Sequence, residues 1–270
     1  MGAIQEAIKN SRKIVLKIGS NVLSNDEGAV DKDSMFNIVE QAKELIEAGK
    51  QVIIVSSGAG ICGVGAINKW SRMGDINYKQ ALCAIGQVEL MMAYSEYFGN
   101  YGMHVGQLLL TRDDFGDSLR TLNIRNTLFT LIDEGVVPVI NENDSVSVEE
   151  IKIGDNDTLS ALTANLWNAD TLIVLSDIDG VFDCDPKAHF DAELIEEIYD
   201  IDGIVSEIDM SGKSSFGTGG ISTKIEAARR VNEYGANLVL LNGRKRDIIK
   251  KALRGEERGT VFFGKQRRML

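Results

Sequence analysis

Short apolar, β-rich runs alternate with helix-periodic segments along most of this chain, and that alternation narrows the possible folds more than any single motif. Lys13–Ile18 is apolar and β-rich, after which Met35, Val39, Ala42 and Ile46 recur at helical spacing until Gly49 stops them. Gln51–Val55 reads as the next strand, Tyr78–Tyr97 as a long helix and Met103–Leu109 as a strand. A helix at Ser118–Asp133 ended by Gly135 and a strand at Val136–Ile140 continue the pattern. Ser145–Ile153 alternates with a period of two and reads as a strand or hairpin that interrupts it. Thr171–Leu175 is another buried strand. Ile221–Tyr234 is a helix ended by Gly235, Leu238–Leu241 a strand and Thr260–Phe263 a last short strand. Strands separated by crossover helices pair in parallel, so the expected class is α/β with a mainly parallel open sheet.

Nothing in the chain of 270 residues suggests a linker: prolines occur only at Pro138 and Pro186, and no Ser/Pro/Gly-rich or charge-run segment divides it. One domain over residues 1–270 is expected. The 40 acidic residues against 29 basic ones give a net charge of −11, which repels nucleic-acid backbones and anionic membranes. Neither is an expected partner. Arg244, Lys245, Arg246, Lys250 and Lys251 read as a solvated helix face rather than a phosphate patch. Cys62, Cys83 and Cys184 are odd in number and lack metal-ligand spacing, which fits a reducing cytoplasm. No signal-type segment or membrane span is evident, and Glu6 stands where a myristoylation motif needs Ser or Thr.

In an open α/β sheet, ligands sit beyond the carboxyl ends of the strands. Four such ends are chemically loaded: Gly19-Ser20, Ser56-Ser57-Gly58-Ala59-Gly60, Asn141-Glu142-Asn143-Asp144 and Ser176-Asp177. In a parallel sheet they converge on one rim. Gly154-Asp155-Asn156-Asp157 places three capping side chains at the start of a helix whose free N–H groups attract anions. Lys17 lies between Leu16 and Ile18 in a buried-looking strand, where an unpaired ammonium would be costly, so it is expected to serve an anion. Lys224 follows the glycine-rich stretch Gly217-Thr218-Gly219-Gly220, whose backbone can approach a phosphate closely.

Gly58-Ala59-Gly60-Ile61-Cys62-Gly63 matches G-x-G-x-x-G after a strand. A dinucleotide site also needs an acidic residue about 20 positions on, at the end of a second strand. Asp75 has no buried strand before it, which argues against a nicotinamide enzyme. No G-x-x-x-x-G-K-[ST] P-loop is present.

The blocks Val15-Leu16-Lys17-Ile18-Gly19-Ser20, Val55-Ser56-Ser57-Gly58-Ala59, Val139-Ile140-Asn141-Glu142-Asn143-Asp144, Gly154-Asp155-Asn156-Asp157 and Gly217-Thr218-Gly219-Gly220-Ile221-Ser222-Thr223-Lys224 occur in the order typical of the amino acid kinase family. The chain resembles that family over about residues 12 to 263, and Arg112 and Asn126 fit the same series. Within it, the blocks at Asn141–Asp144 and Gly217–Lys224 most resemble the branch that phosphorylates L-glutamate. Two departures stand out: Gly60-Ile61-Cys62-Gly63 differs from the usual loop, and Ser176-Asp177 replaces a common Thr-Asp.

The resemblance implies a three-layer αβα sandwich without the C-terminal PUA module that many members carry. It implies ATP-dependent phosphorylation of the glutamate side-chain carboxylate to L-glutamyl 5-phosphate, at the start of proline biosynthesis. Catalytic roles fall on Lys17, Lys224 and Asp157. Acceptor binding falls on Ser57, Gly58, Ala59, Asn141, Asp144, Asp155 and Asn156. ATP binding falls on Lys17, Gly19, Ser176, Asp177, Thr218, Gly219, Gly220, Ile221, Ser222, Thr223 and Lys224, with Gly19 and Gly58 supplying backbone donors. Magnesium bridges the nucleotide phosphates, with no side-chain ligand assigned. L-proline as feedback inhibitor and a transient contact with glutamyl phosphate reductase are further implications; the apolar surface of Ala81–Tyr97 reads either as core or as the subunit interface of a homodimer or homotetramer. The carboxylate nucleophile is already ionised at neutral pH, so His104 and His189 read as structural or solvated. Alternatives are another phosphotransferase of the family, acting on aspartate, acetylglutamate or UMP, and a nonenzymatic anion binder on the same fold.

Overall fold

The computed structural model of this chain describes residues 2–25, 30–68, 74–147, 156–210 and 220–265. The strands are β1 Lys13–Ile18, β2 Gln51–Ser56, β3 Val105–Leu110, β4 Val137–Glu142, β5 Thr171–Ser176, β6 Val181–Phe182, β7 Leu194–Ile195, β8 Glu197–Ile198, β9 Asn237–Asn242 and β10 Thr260–Phe262. The helices are α1 Ala3–Asn10, α2 Lys32–Glu47, α3 Ala59–Ile67, α4 Ile76–Gly99, α5 Ser118–Asp133, α6 Asp157–Trp167, α7 Ile201–Met210, α8 Ile221–Glu233 and α9 Ile248–Arg254. An eight-stranded sheet runs in the order β3-β4-β2-β1-β5-β9-β10-β8, and β6 pairs with β7 apart from it. The six strands from β3 to β9 are parallel; β10 runs antiparallel to β9, and β8 parallel to β10. This is the expected α/β sandwich.

Side-chain alternation along β1 divides the core. Ile14, Leu16 and Ile18 face the layer built on α1, α2, α4 and α9, whereas Val15 faces α5, α6 and α8. Lys17 shares the parity of Val15, so its side chain projects toward the layer in which α6 begins at Asp157. Three helices start with an aspartate accepting from the first-turn N–H groups: Asp31 for α2, Asp75 for α4 and Asp117 for α5. The Asp75 carboxylate is used as a cap, which removes the acidic partner a dinucleotide motif would need. α3 and α4 meet through glycine: a Cβ at Gly86 would lie 1.8 Å from Ala59 O, and one at Gly63 1.9 Å from Leu82 O.

Some expectations change. The described part of Ser145–Ile153 is a turn rather than a strand, because the N–H groups of Val146 and Ser147 both donate to Asn143 O. Residues 148–153 lie outside the described residues, as do Asp155, Thr218 and Gly219. The basic cluster pairs with the protein's own acids, as a solvated face would. Lys245 meets Asp179 at 2.8 Å and Glu257 at 3.0 Å, and Lys250 meets Glu44 at 2.7 Å. The segments α1, α3, α7 and α9 and the short strands β6, β7 and β8 are too brief or too weakly periodic to read from sequence.

Candidate active site

Register brings the loaded loops together. β4, β2, β1 and β5 are adjacent and parallel, with Lys17 level with Val55 on one side and Val174 on the other. Their carboxyl ends therefore open onto one rim, where the start of α6 is inserted.

The expectation that Asn156 acts as a side-chain cap is overturned: at the α6 N-cap it makes no capping hydrogen bond. Its Nδ2 instead donates to Ser56 O at 2.7 Å, Asn141 Oδ1 at 2.8 Å and Ser57 Oγ at 3.1 Å. One amide thus ties the ends of β2 and β4 together, and only 4 % of Asn156 is exposed. Asp157, the next residue, is fully buried and turns toward β1. Its Oδ1 lies 2.6 Å from Lys17 Nζ and its Oδ2 lies 3.1 Å from Lys224 Nζ. Thr223 Oγ1 also donates to Oδ2, at 2.9 Å. Lys17 and Lys224 are 3 % and 5 % exposed. Burying both ammonium groups is costly without charge-assisted partners, and Asp157 supplies one to each.

Lys224 is anchored by its own helix start. Gly220, at φ +103°, turns the chain into α8, and its carbonyl accepts from Lys224 Nζ at 2.8 Å and lies 3.0 Å from Thr223 Oγ1. Ile221 is half-buried there and Ser222 is exposed. A cavity of about 380 Å³ opens beside them, lined by Ser176, Asp177, Asp179, Lys187, Gly220 and Lys224 among others. Burial works to raise the Asp177 carboxyl, yet hydrogen bonds from Asn21, its own backbone N–H and Ser176 hold it below the ordinary range.

On the opposite flank, Asn141 Oδ1 also accepts from the Glu142 N–H at 2.9 Å, and Asn141 Nδ2 donates to Gln87 Oε1 at 2.8 Å. Burial pushes the Asp144 carboxyl above the ordinary range, against a hydrogen bond from Cys83. Gly58, at φ +98°, starts α3, and Ala59 is buried. Gly19 does not offer the free backbone donor that was expected: its N–H donates to Leu175 O at 3.0 Å. Its lack of a side chain matters more, since a Cβ there would lie 3.2 Å from Leu175 O and 3.9 Å from Lys17 Nζ. Arg112, in the turn after β3, and Asn126, on α5, are exposed, as is His104; His189 is half-buried.

Lys17, Lys224, Asp157, Ser57, Asn141, Asn156, Ser176, Asp177 and Thr223 thus share one rim. Sequence reasoning missed Asn21, Gln87, Asp179 and Lys187. The only signal for Gln87 is a polar residue amid the apolar run of α4, and for Asp179 its place in an Asp-Gly turn after a strand.

Two lysines converging on one buried carboxylate, between an amide cluster and an open cavity at the carboxyl rim of a parallel sheet, are joined by a family match over residues 12–242: this chain belongs to the amino acid kinase family. Within the family it is similar to glutamate 5-kinases. It is 58 % identical to that of Alkaliphilus oremlandii over 260 residues, covering 96 % of this chain and 99 % of the relative. It is 59 % identical to that of Alkaliphilus metalliredigens, with coverage of 96 % and 98 %. The Geobacter metallireducens enzyme is 46 % identical and longer, this chain covering 69 % of it. Among solved structures, the carbamate kinase of Giardia lamblia bound to AMP-PNP superposes with a TM-score of 0.66 at 16 % identity, covering 95 % of this chain and 99 % of that one. The UMP kinase of Bacillus anthracis gives 0.64 at 16 %, covering 94 % and 96 %. These likenesses establish the fold.

Proposed function

We propose that this chain is a glutamate 5-kinase, transferring the γ-phosphoryl group of ATP to the side-chain carboxylate of L-glutamate to give L-glutamyl 5-phosphate and ADP, the first step of proline biosynthesis. The observation that carries the reading is the meeting of Lys17 and Lys224 at Asp157, between the acceptor-side amides and the cavity beside Ser176 and Asp177. Identity to glutamate 5-kinases over nearly the whole chain supports the acceptor.

The side-chain carboxylate of glutamate has a pKa near ~4.3 and is ionised at neutral pH, so no general base is required. The difficulty is bringing two anions together. Lys17 and Lys224 answer it with fixed positive charge, and Asp157 holds both ammonium groups in place before substrate arrives. Ser57, Gly58, Ala59, Asn141, Asp144, Asp155 and Asn156 form the acceptor side, with Asp144 facing the α-ammonium. The nucleotide side comprises Gly19, Ser176, Asp177 and Thr218 to Lys224. Among the described residues no three Asp, Glu, His or Cys side chains gather to hold a metal ion. Lys17, Lys224 and the cavity beside Ser176 and Gly220 would hold the phosphates of MgATP, and Mg²⁺ carried in with the nucleotide would neutralise phosphate charge.

The enzyme works in the cytoplasm through its amino acid kinase domain; among the described residues, no helix is long and apolar enough to cross a membrane. Self-association uses the outer face of α4, where Val88 and Met92 are 59 % and 61 % exposed beside Leu109 of the edge strand β3. L-proline serves as feedback inhibitor, and the unstable acyl phosphate is passed to glutamyl phosphate reductase by transient contact.

The test is MgATP-dependent ADP release with L-glutamate, L-aspartate, N-acetylglutamate, UMP and carbamate in parallel. Release with L-glutamate alone is expected. Release with another acceptor and not glutamate moves the chain to a different branch, and silence throughout leaves an anion binder.

A further inference from the structure

We infer that Gln87, on α4, is a positioning residue that sets the acceptor-side amides and so tunes glutamate affinity; the inference rests on the glutamate 5-kinase reading. Two backbone groups that cannot rotate fix each amide. Ser56 O can only accept, so the group 2.7 Å from it on Asn156 is Nδ2. The Glu142 N–H can only donate, so the Asn141 atom 2.9 Å away is Oδ1. Asn141 must then turn its Nδ2 toward α4, where Gln87 Oε1 accepts it at 2.8 Å.

The chain of bonds runs from Gln87 through Asn141 to Asn156 and on to Ser56 and Ser57. Gln87 is 9 % exposed and lines a cavity with Glu142 and Asp144. With Nδ2 committed inward, Asn156 Oδ1 is buried with no hydrogen-bond partner among the described residues. An acceptor so placed costs free energy unless a ligand donor meets it. Ser56 O and the Glu142 N–H set the two directions, and Gln87 Oε1 holds Asn141, and through it Asn156, in place from the α4 side. The same stripe of α4 carries Tyr94 two turns on, whose hydroxyl lies 2.8 Å from Ser56 Oγ, so one helix face supports both ends of the cluster.

The test is steady-state kinetics on Gln87→Met, Asn141→Ala and the double variant, with a thermal melt of each. Gln87→Met keeps side-chain length and removes the acceptor. A rise of about tenfold in the KM for glutamate is expected, with the KM for ATP within about twofold of wild type. In the Asn141→Ala background, Gln87→Met should add no further rise, because the bond it supports is gone. Gln87→Glu, which retains Oε1, should bring the glutamate KM back toward wild type. An unchanged glutamate KM, equal rises in both KM values, or additive effects in the double variant overturn the inference. Failure of the glutamate reading shows separately, as wild-type protein with no glutamate-dependent ADP release.

Discussion

Lys17 Nζ lies 2.6 Å from Asp157 Oδ1, and neither side chain has appreciable contact with solvent. Because Asp157 Oδ2 also meets Lys224, one carboxylate compensates two buried ammonium groups. Asp157→Asn removes that charge and leaves both lysines facing a neutral amide. A loss of about 3–5 kcal/mol is expected, the scale for stripping one partner from a buried pair. Urea unfolding measures it, and a midpoint equal to wild type contradicts the arrangement.

Lys17→Ala, assayed on protein shown to be folded, tests chemistry. Turnover should fall on the order of 10²–10³, the scale for removing one preorganised electrostatic stabiliser. The companion variant Lys224→Ala should fall comparably. Near-normal kcat in Lys17→Ala takes the residue out of the reaction.

Asp144 opposes stability and binding to each other. Its carboxyl titrates above the ordinary value of 3.8, chiefly because burial disfavours the charged form. A raised acidic pKa contributes stability that is complete below the unfolded pKa and is lost as pH rises through the folded one. At neutral pH the half-buried charge therefore costs stability, and Asp144→Asn should raise Tm at pH 7 while leaving Tm near pH 3 little changed. The same variant should raise the KM for glutamate far more than that for ATP. Unchanged Tm at pH 7, or equal effects on both KM values, contradicts the assignment.

Gly86→Ala places a methyl group 1.8 Å from Ala59 O and 2.2 Å from Gly63 N, so α3 and α4 must separate. Destabilisation of about 1–3 kcal/mol or more is expected from such overpacking. Differential scanning calorimetry reads it, and wild-type Tm in the variant would show that the two helices are not in contact there.

The six parallel strands and the rim were legible in the sequence because both have a local signature. β1, α5 and β5 follow from apolar periodicity, and parallel order places Gly19, Ser57, Asn141 and Ser176 at one end without further information. Lys17 was legible for a related reason, since an ammonium in a buried strand needs a partner, and Lys224 was legible from the glycine-rich stretch before its helix. The identity of that partner was half-read: Asp157 stands in a capping pattern, but its carboxylate leaves the helix and crosses to β1 and α8. Asn156 misled in the same way, because an Asn before a helix has the same sequence appearance whether it bonds its own N–H groups or the loop of Ser56. Gln87 and Asn21 were not legible, since their partners Asn141 and Asp177 lie 54 and 156 positions away. The turn at Ser145–Ser147 was misread because alternation over a few residues mimics a strand when Asn143 O instead collects two N–H groups.

The most direct test of the central claim is the identity of the bond made. Wild-type protein incubated with MgATP, L-glutamate and hydroxylamine should yield γ-glutamyl hydroxamate, identified by mass spectrometry, in amounts matching the ADP formed. ADP release without any hydroxamate, or hydroxamate at the α-carboxyl, would contradict phosphoryl transfer to the side-chain carboxylate.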